Sequence, residues 1–319
     1  VETMRRSTLN TYNGRTCVFD PSMTGLLADG GFVFPVLQDL DGGTFPDGGS
    51  SAICKGRKYT TGGFPLPPFA QLPDDAVLLM EVAGGDFIFL PKFDKVLLTR
   101  VVRLLQERPE VDAIFVNSSY GDIPGTLKLR DVMLESVVGS RTPDIAISFW
   151  TDAQISVQGV PGVGYHNKPS PSGMRGDHGA MAPQDINISG FAVGADFRQS
   201  FLDTVPTANV DIAPTIGHLM GLMDRAEGAF LKDANGRVLY EALKPGGQTQ
   251  GRPETDYQVS TAIVRPTTAA TGLTVRLPTN PDGTDVDLKT SYNMELHNSN
   301  VVIDGKTYQY IDFAKATRQ

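Results

Sequence analysis

The sequence predicts an α/β fold, a mostly parallel sheet flanked by helices, incomplete within these 319 residues and followed by a small C-terminal β appendage. Three observations predict it. From residue 76 onward, short continuous apolar runs alternate with an amphipathic stretch in a strand–helix–strand rhythm. Beyond about residue 245, alternating segments replace that rhythm. Residues 1–75 are rich in Gly, Pro, Asp and Ser, as in "DLDGGTFPDGGSS", and show little sustained periodicity. The expected organisation is a loop-rich part over 1–75, an α/β part over 76–245, a linker over 246–259 and the β appendage over 260–319.

Taken in order, residues 1–75 read as long surface excursions around short strands such as "GGFVFPVL". "AVLLMEVAGGDFIFLP" is two apolar runs joined at Gly84-Gly85, a strand–turn–strand. "KFDKVLLTRVVRLLQERPEV" sets Val96, Leu97, Val101, Leu104 and Leu105 at helical spacing and stops at Pro109. "VDAIFVN" and "TPDIAISFW" read as buried strands, with a turn and a short helical piece in "IPGTLKLRDVMLES" between them. Residues 151–172 read as a loop, "INISGFAVGADF" as a strand with its exit turn, and "VDIAPTIGHLMGLM" as a helix that Asp211 caps. In the appendage, Asp304-Gly305 lies between two alternating runs and predicts a hairpin turn.

A formal net charge of −8 argues against a nucleic-acid surface, since a protein that binds phosphate backbones needs a basic stripe. No stretch approaches the roughly 20 apolar residues of a membrane span, and "VETMRRSTLN" lacks the apolar region of a signal peptide. A soluble chain is expected, and its non-Met start suggests a processed product or part of something longer. Cys17 and Cys54 lack metal-site spacing; they read either as one disulfide of an exported protein or as two separate thiols.

The chemistry concentrates in "GMRGDHGAMAPQD", residues 173–185, where an Asp-His pair stands between glycines. The ordered set "GDHGAMAPQD" (176–185), "FAVGADFR" (191–198) and "NVDIAPTIGHLMGL" (209–222) resembles the end of the catalytic domain in the alkaline phosphatase superfamily. Its type I phosphodiesterase and nucleotide pyrophosphatase branch is the most similar. "DFIFLP", "VDAIFVNSSYGDIPGTLKL" and "TPDIAISF" resemble a group of large bacterial proteins of that branch, so the similarity runs from about 76 to 245.

That resemblance implies an alkaline-phosphatase-like sheet, two Zn²⁺ ions and a Thr or Ser nucleophile that forms a phosphoenzyme. It places His178 as the last metal ligand in chain order. The assignment is physically sensible, because a neutral imidazole on a turn offers a nitrogen to Zn²⁺ at about 2.1 Å, and Gly179 leaves room beside it. The bland reading of His178 is a loop histidine bonded to backbone. Asp177 is either a ligand too, an anion that orients the ligands, or a surface charge. His166 and Arg175 sit on the preceding loop as candidate substrate contacts, together with Tyr165 and Lys168. His218, among apolar helix neighbours, reads as packing, and His297 as surface.

The nucleophile segment and the other ligand segments of the family are absent; "LLADGGF" has Asp29 but no histidine. The chain is therefore expected to be the C-terminal portion of a hydrolase acting on a phosphoester or nucleotide. An N-terminal segment or second chain would complete its sheet and active site, and the resemblance implies a periplasmic or extracellular location. The alternative from another class is a non-catalytic structural or cell-surface assembly protein on a degenerate scaffold.

Overall fold

The computed structural model describes residues 9–12, 15–18, 77–82, 84–108, 110–136, 142–157, 160–164, 178–223, 225–246, 249–273 and 290–319. These divide between two compact units. The first takes residues up to Ile186 together with Arg265–Glu295 and Ala314–Gln319; the second takes Asn187–Val264 and Leu296–Phe313.

The first unit holds a mixed sheet with helices. Strands β1 (Leu9–Tyr12) and β2 (Arg15–Val18) form an antiparallel pair of their own. The main sheet begins with β3 (Leu78–Val82) and β4 (Gly85–Phe89), a hairpin in which Val82 pairs with Gly85. Helix α1 (Lys95–Gln106) follows, then β5 (Val111–Val116), the short β6 (Leu127–Lys128) and β7 (Ile145–Phe149). The strand order is β3-β4-β7-β5-β6.

This sheet corrects the expectation of a mostly parallel one. β4 and β5, linked through α1, do run in the same direction, as a strand–helix–strand rhythm requires. β7 lies between them, however, antiparallel to both, and only β5 and β6 pair in parallel. A continuous apolar run identifies a strand buried on both faces, and β5 and β7 are buried at every position; the same run is silent about direction.

Helix α1 starts where Asp94 accepts a hydrogen bond from the Leu97 N–H at 2.9 Å, satisfying one of the free first-turn donors. It packs against β5 and buries Leu97, Leu98, Val101, Val102 and Leu105. The buried face is rotated from the expected one, for Leu98 and Val102 are inside while Val96 is 73 % exposed. After β7, β8 (Thr151–Val157) and β9 (Val160–Gly164) form a two-stranded antiparallel ribbon within the stretch 151–172 that was expected to be a loop, whose residues 165–172 lie outside the described ones. Glycines and Pro161 masked its alternation, and a two-stranded ribbon tolerates proline because it is all edge. The four-residue α2 (Pro183–Ile186) closes this part of the chain.

In the second unit the expected strand in "INISGFAVGADF" does not form. Residues 187–196 are irregular, with Phe191 93 % and Val193 94 % exposed. A strand needs a neighbour for its backbone groups, and among the described residues no strand lies beside this segment. Helix α3 (Ile212–Leu219) follows. Asp211 does not cap it. A 3₁₀ turn, Asn209–Asp211, runs straight into the helix, so Asp211 is already in helical conformation and its carboxylate reaches back to the Ala208 N–H at 2.8 Å.

The C-terminal strands are β10 (Gln258–Val264), β11 (Ala270–Thr271), β12 (Ser291–Ile303) and β13 (Lys306–Arg318). β12 and β13 form a hairpin, and its turn falls on Asp304-Gly305, where both residues have positive φ (52° and 75°), the conformation of a type I′ turn. In the second unit Val301, Ile303 and Tyr310 of this hairpin build a small core with Val205 and Tyr257.

The two ends of the hairpin belong to the first unit, and there they close the start of β5. The Ala316 N–H donates to Asp112 at 2.5 Å, and the Tyr292 hydroxyl donates to the Asp112 carbonyl. Arg318 donates to the carbonyls of Gln106, Arg108 and Val111 at 2.9, 2.7 and 2.6 Å. Its guanidinium thus satisfies the Gln106 carbonyl at the C-terminal end of α1, where a cation is favoured. Burial pushes the Asp112 carboxyl up to about 7, against the Ala316 N–H and the charges of Arg318 and Lys315, which act to lower it.

The sign of the pH dependence follows. Between about pH 4 and pH 7 the folded protein keeps a proton on Asp112 that the unfolded chain has lost, so stability falls as pH rises through this window and levels off above it. Asp112→Asn retains the acceptor for Ala316 and cannot ionise. Urea titrations of both proteins are expected to show Asp112→Asn gaining relative stability across this window, by no more than about 4 kcal/mol. A constant difference from pH 4 to 8 would contradict the assignment.

Candidate functional site

The turn that carries His178 is fixed by main-chain contacts to the sheet. The Gly84 N–H donates to the His178 carbonyl at 2.7 Å, the Met181 N–H donates to Ser148 Oγ at 2.8 Å, and the Ala314 N–H donates to the Met181 carbonyl at 2.8 Å. Ala180 and Ala182 are buried beneath the turn, whereas His178 and Gly179 are exposed. The turn therefore rests on the end of the sheet where β7 finishes and β4 begins, since Gly85 pairs with Ser148.

Two glycines make the approach geometrically feasible. Gly179 has φ +96°, a conformation that strains any residue with a Cβ. A Cβ on Gly84 would stand 2.5 Å from the Ala180 nitrogen and 2.8 Å from the His178 oxygen. Both neighbours are backbone, which cannot swing aside as a side chain could. The pair "GG" at 84–85 thus serves as a seat for the histidine turn as well as a hairpin turn.

Asp177, Arg175, His166, Tyr165 and Lys168 lie outside the described residues, as does Cys54. Among the described residues no three His, Cys, Asp or Glu side chains come together closely enough to hold a metal ion. The described residues alone therefore do not fit a two-zinc centre; what they present is one exposed histidine on a turn tied to the sheet by hydrogen bonds. A cavity of about 190 Å³ lies elsewhere in the first unit, beside α1, lined in part by Arg103, Gln106, Pro124 and Thr271. His178 is not among its lining residues.

The other two histidines among the described residues, His218 and His297, are packing residues. His218 Nε2 is 3.1 Å from the Thr249 carbonyl, and its ring meets Tyr240 edge-on at 4.9 Å. His297, expected at the surface, is half-buried and stacked on Phe313 at 4.1 Å.

A buried polar cluster in the second unit escaped the sequence reading. Arg237 forms an ion pair with Glu241 at 2.6 Å, with both side chains almost fully buried. Asp211 accepts from the Arg237 N–H at 2.8 Å and from the Tyr310 hydroxyl at 3.1 Å. Burial raises the Asp211 carboxyl; it also raises Asp203, to about 6, with the neighbouring Glu241 charge as the next cause. The available signal was an Arg and a Glu four residues apart inside the apolar run "GRVLYEAL". Through Asp211 the cluster ties the Arg237 backbone to Tyr310, a member of this unit's core.

Comparison with models of known families, with curated proteins and with solved structures gives no match for the chain.

Gly84→Ala tests the seat. A methyl group forced against the Ala180 and His178 backbone is expected to cost about 1–3 kcal/mol in urea unfolding, as overpacking does. It is also expected to shift the His178 ring resonances in the proton–carbon NMR spectrum. Unchanged stability and an unmoved His178 signal would show that the turn does not rest on Gly84.

Proposed function

We propose that the chain is the C-terminal portion of a metal-dependent phosphoester hydrolase of the phosphodiesterase and nucleotide pyrophosphatase type. An N-terminal segment or second chain completes its alkaline-phosphatase-like sheet and its active site. The observation that carries this reading is His178, exposed on a glycine-flanked turn whose backbone is tied to the sheet end by Gly84, Ser148 and Ala314. A metal ligand needs its residue at the surface and its main chain held in place.

The role assigned to this chain is limited to one imidazole of a zinc centre. Asp177 is its sequence neighbour, and the stretch of sequence bearing His166 and Arg175 is the proposed substrate side. The remaining ligands and the Thr or Ser nucleophile lie outside this chain. The exposed apolar side chains of Ile188, Phe191 and Val193 support a missing neighbour, because a run of this kind is covered by protein when the assembly is whole. A phosphoester or nucleotide is the substrate class, and a periplasmic or extracellular location accompanies the reading. No helix among the described residues is long and apolar enough to cross a membrane.

Zinc content tests the proposal directly. In the complete protein, His178→Ala is expected to remove one zinc per molecule by elemental analysis and to abolish hydrolysis of bis(4-nitrophenyl) phosphate, with circular dichroism unchanged. The 319-residue chain alone is expected to be inactive with added zinc. A complete protein that binds no zinc would favour the non-catalytic assembly role. Zinc-dependent hydrolysis by the chain alone would show that it already contains the nucleophile and the other ligands.

A further inference from the structure

β10 is the outer strand of the sheet in the second unit. One edge pairs with β12, from Gln258 opposite Val302 to Val264 opposite Leu296. Among the described residues no strand pairs with the other edge. Its seven residues, "QVSTAIV", carry no charge, no proline and no glycine. The usual devices that keep an open edge from pairing are therefore missing.

The strand also stops in the middle of a buried face. Residues directly opposite one another in an antiparallel pair share a face, so Val259 lies on the same side as Val301, a member of the unit's core. Thr261 and Ile263 continue that side. Val259 and Ile263 are nevertheless 49 % and 47 % exposed, because nothing among the described residues covers the sheet beyond β10.

We propose that this edge is a homodimer interface. β10 of a second copy adds antiparallel to β10 of the first, about a twofold axis through Thr261. That is the centre at which all seven residues overlap. Thr261 then faces its own counterpart, and Val259 faces Ile263 of the other copy twice, joining two half-exposed apolar residues into one covered row. On the other face Ser260 meets Ala262 and Gln258 meets Val264.

Charge complementarity selects a second copy and the antiparallel sense. The uncharged strand presents no repulsion to itself. Asp256, exposed, stands just before it, and Arg265 follows it, ion-paired with Glu295 at 2.8 Å in a cluster that Lys315 joins at 3.7 Å and that so keeps one net positive charge. The antiparallel twofold brings the Arg265 end of each copy to the Asp256 end of the other, whereas parallel pairing would set like charges together. This proposal is independent of the phosphoester reading.

Sedimentation equilibrium over a concentration series is expected to show a monomer–dimer equilibrium. Thr261→Lys sets two ammonium groups face to face on the axis and is expected to raise the dissociation constant about tenfold or more. Val259→Lys and Ile263→Glu are each expected to weaken the dimer. Combined in one chain they should restore it, since the new ammonium at 259 then faces the new carboxylate at 263 of the other copy at both ends. All three positions are at the surface, and unchanged circular dichroism confirms that each variant folds. A monomer throughout the series, a dimer indifferent to Thr261→Lys, or a folded double variant as weak as the single ones would each overturn the proposal.

Discussion

The first unit depends on how the start of β5 is held. β5 is buried along its whole length, and it begins where α1 ends, so open carbonyls of the helix terminus and the first strand residues must find donors away from water. Arg318 supplies them from the far end of the chain, reaching three carbonyls at once, while Asp112 accepts from both hairpin ends, from the Tyr292 hydroxyl at its carbonyl and from the Ala316 N–H at its carboxyl. A guanidinium suits this role because its donors lie in a fixed planar fork. Burial lowers the Arg318 pKa, a sign that the contact is made against a desolvation cost. The arrangement makes the last five strand residues part of a core built some two hundred residues earlier.

That long-range dependence explains which parts of the fold were legible. The β3–β4 hairpin, α1, β5, β7 and the Asp304-Gly305 turn follow from local pattern, because each is specified by its own apolar run, cap or turn chemistry. The direction of β7 is set by which strands it joins, and no residue within it records that. The rotation of α1 that leaves Val96 outside is fixed by packing against β5. The β1–β2 hairpin was missed although Asn13-Gly14 separates its strands, a strong two-residue turn signal submerged in a Gly- and Pro-rich region. Asp211 had the composition of a helix cap. It became a buried acceptor because the preceding 3₁₀ turn aims its carboxylate backward, to Ala208, and because Arg237 and Tyr310 meet it there.

The candidate site was legible to the extent of one residue. The glycine-flanked Asp-His pair marked His178, but nothing in that stretch indicated that its turn is seated on Gly84 and anchored through Ser148 and Ala314. These partners are ordinary residues, distant in sequence, that act through backbone atoms or a hydroxyl. Ala314 lies two residues before Ala316, which donates to Asp112. The histidine turn and the closure of β5 therefore share one short stretch of β13, and the geometry of the first depends on the second.

Native-state hydrogen exchange on Arg318→Ala tests this dependence most directly. If the closure holds the unit together, amides of β5 and of the 178–182 turn should lose protection together with those of 314–318, under conditions where the second unit keeps its own. Loss of protection confined to 314–318, with β5 and the histidine turn as protected as before, would contradict the account.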